Sequence, residues 1–211
     1  MSESKEQQLW DACTSGDLEL VKRLASDSAV NVNWGDSEYD RTPFFRACGQ
    51  GRVSVVQFLL KHPQVDVNKP NKDGATPFYI ACQKGHKEVA ALLLANTRVG
   101  VTQRMNAGRT PFYVACQQGH KEVVALLLSD TRIDVNKPEN NGFTPFLMAS
   151  GEGQQEVVLL LLADTRVDIN KFCEGQMTPM SWPLRRPPFD CSAHHCLWKG
   201  RRYSDQDHRQ C

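Results

Sequence analysis

The 211-residue sequence carries almost no net charge, with 25 basic side chains against 24 acidic ones. That balance excludes a protein drawn to nucleic acid or to an anionic membrane surface by a general basic field. Long hydrophobic runs are also missing. The apolar stretches, such as Val157 to Ala163, fall far short of the roughly 20 residues a membrane-spanning helix needs. The opening segment, MSESKEQQLW, has neither the basic start nor the apolar stretch of a secretory signal. Catalytic signatures are absent as well: no Gly-x-Ser-x-Gly elbow, no phosphate-cradling Gly-rich loop and no His-Glu-x-x-His pair. Cysteine, by contrast, is plentiful. There are eight, and whether they form disulfides, bind metal or remain free thiols depends on their positions.

What fills the chain is a repeat. Thr-Pro occurs at Thr42-Pro43, Thr76-Pro77, Thr110-Pro111, Thr144-Pro145 and Thr178-Pro179, each 34 residues from the next. An Ala follows at Ala47, Ala81, Ala115 and Ala149, and a Gly at Gly51, Gly85, Gly119 and Gly153. Leucine-rich triplets come next, for example Leu92-Leu93-Leu94 and Leu126-Leu127-Leu128, and Asp-apolar-Asn closes the unit at Asp66-Val67-Asn68, Asp134-Val135-Asn136 and Asp168-Ile169-Asn170. A period of this length marks a solenoid. Each unit reads as two short helices. Thr is a good N-cap, Pro is tolerated at the first helical position, and Gly85 supplies the positive-φ turn that ends the first helix. His86-Lys87-Glu88 opens a second helix, whose Val89, Leu92 and Leu93 are expected on one buried face. Asp66 to Gly74 is a turn-rich extension that ends in Asp-Gly, a hairpin signal. Helices this short, below the roughly 12–15 residues that stand alone in water, must be stabilised by stacking.

These residues resemble the ankyrin repeat, whose Thr-Pro-Leu-His-x-Ala box appears as TPFFRA, TPFYIA, TPFYVA and TPFLMA. The resemblance covers about residues 6–171 and implies an all-α repeat solenoid: an ankyrin stack of helix-turn-helix units with hairpin-like loops. The expected organisation is an array over 1–171, made of a capping repeat at about 6–36 and units at about 37–70, 71–104, 105–138 and 139–171. An aborted fifth repeat follows at 172–182, then a disordered Cys/His/Arg-containing tail at 183–211. The chain departs from the family in three ways. Its period exceeds the usual period of about 33 by one residue, placed after the Leu triplet as in Ser129 to Ile133. The His of the box is replaced by Phe45, Tyr79, Tyr113 and Leu147. Gly100 to Asn106 breaks the Asp-Val-Asn-Lys-Pro pattern, a change expected to alter one fingertip.

The cysteines divide into two populations. Cys48, Cys82 and Cys116 occupy one slot directly after the Ala of each box, with Ser150 in the fourth copy. Packed helices lie about 8–10 Å apart, too far for a disulfide. Buried free thiols in a reducing, cytoplasmic compartment are therefore expected, the nucleus remaining open. Cys173, Cys191, Cys196 and Cys211 lie in the last 40 residues with three histidines. Cys191, His194, Cys196 and Cys211 offer enough donors for tetrahedral zinc, yet no Cys-x-x-Cys knuckle is present and a metal-free tail is the plain alternative. No other cofactor is expected. In the fifth box Pro183 replaces the close-packing Ala and Pro187-Pro188 follow, so its first helix should not form. The second helix of the last full unit would then expose an apolar edge around Leu159, partly covered by Met177, Met180 and Trp182 and able to drive self-association. The abrupt change in composition fits a longer array cut by splicing or a shifted reading frame.

The resemblance implies a non-catalytic protein-protein interaction module that binds a protein partner through the concave face and hairpin tips. Carried over copy by copy, the partner-binding candidates are Tyr39, Arg41, Lys72, Asp73, Lys84, Asn106, Arg109, Gln117, Gln118, Asn140, Asn141 and Phe143. Among them Tyr39, Arg41, Arg109 and Phe143 are the expected anchors, because aromatic and Arg side chains dominate hot spots. The resemblance also implies that Asn68, Asn136 and Asn170 match an asparagine that an oxygenase can hydroxylate; the plain alternative is a hydrogen bond across the hairpin base. An adaptor whose tail binds zinc or recruits a second partner is the other functional reading.

Overall fold

The structure, a computed structural model, describes residues 3–171. Among the described residues there are ten helices and no strand. They form five pairs: α1 (Lys5–Ser15) with α2 (Leu18–Ala25), α3 (Pro43–Gly49) with α4 (Val53–Lys61), α5 (Pro77–Gln83) with α6 (Lys87–Leu94), α7 (Pro111–Gln118) with α8 (Lys121–Leu128), and α9 (Pro145–Gly151) with α10 (Gln155–Ala163). First helices pack in the order α1, α3, α5, α7, α9 and second helices in the order α2, α4, α6, α8, α10, so each unit touches its neighbours. This is the one-dimensional stacking expected of a solenoid.

The helix starts follow from the sequence. Thr42 accepts the Phe45 N–H at 3.1 Å, Thr76 that of Tyr79 at 3.1 Å, Thr110 that of Tyr113 at 3.0 Å and Thr144 that of Leu147 at 3.2 Å, each just ahead of a proline. The first unit, without Thr-Pro, uses Ser4 for the same purpose.

Four second helices have no side chain capping their own N-terminus. The residues at those positions reach back one unit instead. Arg52 Nε donates to the Thr14 carbonyl at 2.9 Å, His86 Nε2 to Gly49 at 3.0 Å, His120 Nε2 to Gln83 at 2.8 Å and Gln154 Nε2 to Gln117 at 3.1 Å. A carbonyl only accepts, so both imidazoles carry a proton on Nε2. This ladder satisfies carbonyls at the ends of the first helices. It also explains Gly85, which sits at φ +74° and where a Cβ would lie 2.6 Å from His120 Nδ1.

A second ladder closes the ends of the second helices. His62 Nε2 donates to Ala25 at 3.2 Å, Arg98 to Leu60 at 3.2 Å, Arg132 to Leu94 at 2.8 Å and Arg166 to Leu128 at 2.5 Å. Asp130 and Asp164 clamp the last two guanidinium groups, and those hydrogen bonds hold both carboxyls below the usual carboxylate range. The segment lengthened relative to the usual period thus carries the arginine that fastens one repeat to the one before it.

The core repeats with the sequence. Phe44, Phe78 and Phe112 are buried in the first helices, and Leu59, Leu93, Leu127 and Leu161 in the second. On α6 the buried face is Val89, Ala90 and Leu93, with Leu92 half-buried at its margin. The expected face is therefore rotated, because α6 packs against both α5 and its second-helix neighbours. Leu159 is 56% exposed and Leu162 36% exposed on α10, which places an apolar edge where the sequence suggested one. The residues expected to cover it, Met177, Met180 and Trp182, lie outside the described residues.

Candidate functional site

Between the pairs the chain projects turn-rich fingers. Each is closed at its base by a backbone bond: Asn71 N–H to Ala75, Met105 N–H to Arg109 and Glu139 N–H to Phe143. The Asp-Gly signal yields turns, and the backbone pairing runs between neighbouring fingers. Lys72 N–H donates to Tyr39, Asn106 N–H to Asp73 and Asn140 N–H to Ala107. Much of the fingertip chemistry is engaged in the same contacts. Lys72 Nζ donates to the carbonyls of Ser37 and Glu38, Asn106 Nδ2 to Lys72, and Asn140 Nδ2 to Asn106. Asn141 folds onto Glu139, a buried carboxylate at the base of its finger.

The first finger is built differently. Asp36 accepts from the backbone of Glu38, Tyr39 and Arg41 and from the Arg41 guanidinium at 2.8 Å. Burial alone would raise the Asp36 pKa, but Arg41 and the backbone N–H groups outweigh it and lower it to about 2. Arg41 in turn lies 4.6 Å from the Tyr39 ring and 5.9 Å from Trp10. Trp10 Nε1 donates to the Arg41 carbonyl at 3.0 Å, and Arg46 stacks on the other part of the cluster, 4.6 Å from the Trp10 ring. Two aromatic rings and two guanidinium groups are thus assembled at one end of the stack, with Tyr39 41% exposed. Trp10 and Arg46 were not among the sequence candidates. The only hint was a Trp on the first helix of a unit that lacks the Thr-Pro box.

Farther along the stack the candidates separate by exposure. Lys84 and Gln118 are exposed at equivalent places at the ends of first helices, with Gln50 and Glu152 completing the row. Gln117 is half-buried, and its backbone carbonyl receives Gln154. Asp73 is exposed at its fingertip, and Phe143 is half-buried. Arg109 is half-buried, its guanidinium 6.0 Å from the Tyr113 ring. Arg109 Nε and Tyr113 Oη are both buried without a hydrogen-bond partner. Burial pushes the Tyr113 hydroxyl well above its ordinary pKa and that of Tyr79 up to about 12.

The asparagines form a third ladder, which bridges repeats and does not close one hairpin base. Asn33 Nδ2 donates to the Gln64 carbonyl at 2.7 Å while its Oδ1 accepts the Asp66 N–H at 2.8 Å. Asn68 does the same with Arg98 and Gly100, at 2.6 and 2.7 Å, and Asn136 with Arg166 and Asp168, both at 2.7 Å. Thr102 stands at the corresponding place between Asn68 and Asn136. Its side chain makes no such bridge, and a cleft of about 280 Å³ opens there, lined in part by Thr102, Ile133, Asp134 and Lys137. The altered segment Gly100 to Asn106 therefore changes a finger base and the repeat junction beside it, not only a tip. Asn170 lies at the end of the described residues, its N–H bonded to Asp168.

Cys13, Cys48, Cys82 and Cys116 are buried free thiols. Burial raises the Cys13 pKa to about 12 and those of the other three well above the ordinary thiol value. Among the described residues no cluster of His, Cys, Asp and Glu is arranged to hold a metal ion, and no helix is long and apolar enough to cross a membrane. The zinc candidates Cys191, His194, Cys196 and Cys211 lie outside the described residues. A family model for ankyrin repeats (3 copies) matches residues 9–104 and 98–173.

Proposed function

The chain belongs to the ankyrin repeat family, and from that premise we propose that it is a non-catalytic module binding a protein partner across the first helices and fingers. The family serves generally in protein-protein interaction. The observation that carries the choice of face is the cluster of Trp10, Tyr39, Arg41 and Arg46. Aromatic and Arg side chains held in place before binding make hot spots, since less rotamer entropy remains to be lost. Exposed Asp73, Lys84 and Gln118 extend this surface along the stack, with Arg109 and Phe143 at its far fingers.

A photo-crosslinking amino acid placed in turn at Tyr39, Lys84 and Gln118, and at Glu88 and Glu122 on the second helices, tests the assignment in cells. One protein captured from the first three positions and not from the other two supports it. Capture from the second-helix positions alone overturns it.

The exposed Leu159 and Leu162 support a subsidiary reading, self-association through the end of the array. Zinc held by the tail, and hydroxylation of Asn68, Asn136 or Asn170, stand on sequence alone. Metal analysis of the full chain beside its Cys191→Ser variant, and intact-mass measurement, decide them.

A further inference from the structure

We infer that the cleft beside Thr102 binds a side-chain carboxamide, that of an Asn or Gln in an extended segment of a partner protein. The chain itself specifies the ligand. At three other junctions the carboxamide of Asn33, Asn68 or Asn136 joins a backbone carbonyl to a backbone N–H two residues further on in the next repeat. The turn that presents this side chain persists at the fourth: Gln103 N–H points to the Gly100 carbonyl at 3.5 Å, as Lys137 N–H does to Asp134 at 3.4 Å. The two groups to be bridged there are the Arg132 carbonyl and the Asp134 N–H, and neither has a hydrogen-bond partner among the described residues. They flank Ile133, and the cleft runs along Ile133 and Asp134.

The chemistry selects among ligands. A carbonyl needs a donor and an N–H needs an acceptor, and a primary carboxamide presents both, about 2.3 Å apart on one planar group. A carboxylate would set a second oxygen against the Arg132 carbonyl. An ammonium would leave the Asp134 N–H unmet. Val101, Phe112 and Ile133, all buried, provide an apolar floor for the methylene that carries the amide. Arg104 donates to the Gly108 and Pro138 carbonyls but keeps its charge, and Lys137 adds a second cation to the rim against the one carboxylate of Asp134. Discrimination against a carboxylate therefore rests on the Arg132 carbonyl and not on the rim charge. This site lies apart from the Trp10 cluster, and the inference goes beyond the front-face reading.

The test is a titration of the full chain, followed by amide NMR, with N-acetyl-asparagine methylamide to about 50 mM, the weak range appropriate to a fragment making two hydrogen bonds. A saturable shift centred on the Asp134 N–H is expected. The Thr102→Asn variant should lose the response, because its own side chain completes the ladder, while Thr102→Val, which leaves the cleft open, should keep it. N-acetyl-aspartate methylamide should give no saturable shift at Asp134. Absence of saturation in the wild type overturns the inference, as does a Thr102→Asn variant that still responds or an aspartate probe that binds equally well. Because the probe is a small amide, its failure would leave the front-face reading intact, and a failed crosslink would leave this site intact.

Discussion

The back-reaching ladder makes a quantitative demand on Gly85 and His120. Gly85 is held at φ +74°, and a Cβ there would lie 2.6 Å from His120 Nδ1, while the ring is pinned by its 2.8 Å bond to Gln83. In Gly85→Ala, the left-handed backbone should cost about 1–2 kcal/mol and the overlap with the ring about 1–3 kcal/mol more. His120→Ala removes one hydrogen bond and should cost about 1 kcal/mol. If both effects meet at the ring, the double variant escapes the overlap. It should then be less destabilised than the sum of the single variants by about 1–3 kcal/mol, well outside the ~0.5 kcal/mol expected of independent sites. Equilibrium urea unfolding followed by circular dichroism measures this, provided the m-value is unchanged, since a stack of repeats can lose two-state behaviour. His120→Gln is the control and should be near neutral, because Gln154 makes the equivalent bond in the next unit. Additive single variants, or a severe loss in His120→Gln, would refute the shared-ring argument.

Other outcomes follow from the same geometry. Asp36, lowered to about 2 from an ordinary 3.8, contributes stability that is present above pH 4 and lost as pH falls toward 2; Asp36→Asn should cost about 2 kcal/mol at pH 7 and flatten that acid limb in urea midpoints measured from pH 7 to pH 2. Thr102→Asn should raise stability by about 1 kcal/mol, read as a melting temperature higher by roughly 2–4 °C, and a lower one would contradict the ladder. Iodoacetamide at pH 8 should leave Cys13, Cys48, Cys82 and Cys116 unmodified in the folded full chain and label them after unfolding, as peptide mass spectrometry would show, because burial raises their pKa values. Leu159→Lys should weaken any self-association seen by sedimentation, since it places a charge on the most exposed large apolar side chain of the described residues.

The helices and their packing were legible because local chemistry determines them. Thr42, Thr76, Thr110 and Thr144 cap, the prolines behind them start helices, and Gly85 turns the chain, each by rules that need no neighbour. The ladders were not legible in the same way. His86 and His120 look like helix starts, and only the approach of the preceding repeat reveals which carbonyl each one serves. Arg132 sits in what reads as a one-residue lengthening of the unit, yet its guanidinium fastens to Leu94. Arg41 and Lys72 read as partner-binding candidates on the hairpin tips. In the fold Arg41 is held by Asp36 and Lys72 by the Ser37 and Glu38 carbonyls, because fingers that lie side by side turn their polar tips on one another.

That division bears on where recognition can reside. A residue that repeats at every unit and bonds to the next unit is accounted for by stacking, and substituting it weakens the array before it alters a partner's affinity. The informative positions are those where the chain departs from its own repeat and the departure leaves chemistry uncommitted. The first finger is one such place: it has an extra residue, keeps Asp40 at φ +56° where later fingers have glycine, and orders Tyr39 and Arg41 beside Trp10. Thr102 is the other, where a missing carboxamide leaves a donor and an acceptor facing a cleft. Units beginning at Thr76 and Thr110 agree at 19 of 28 positions, so near-identity between neighbours makes such departures the main source of asymmetry along the stack. A partner that distinguishes one end of this array from the other must read them.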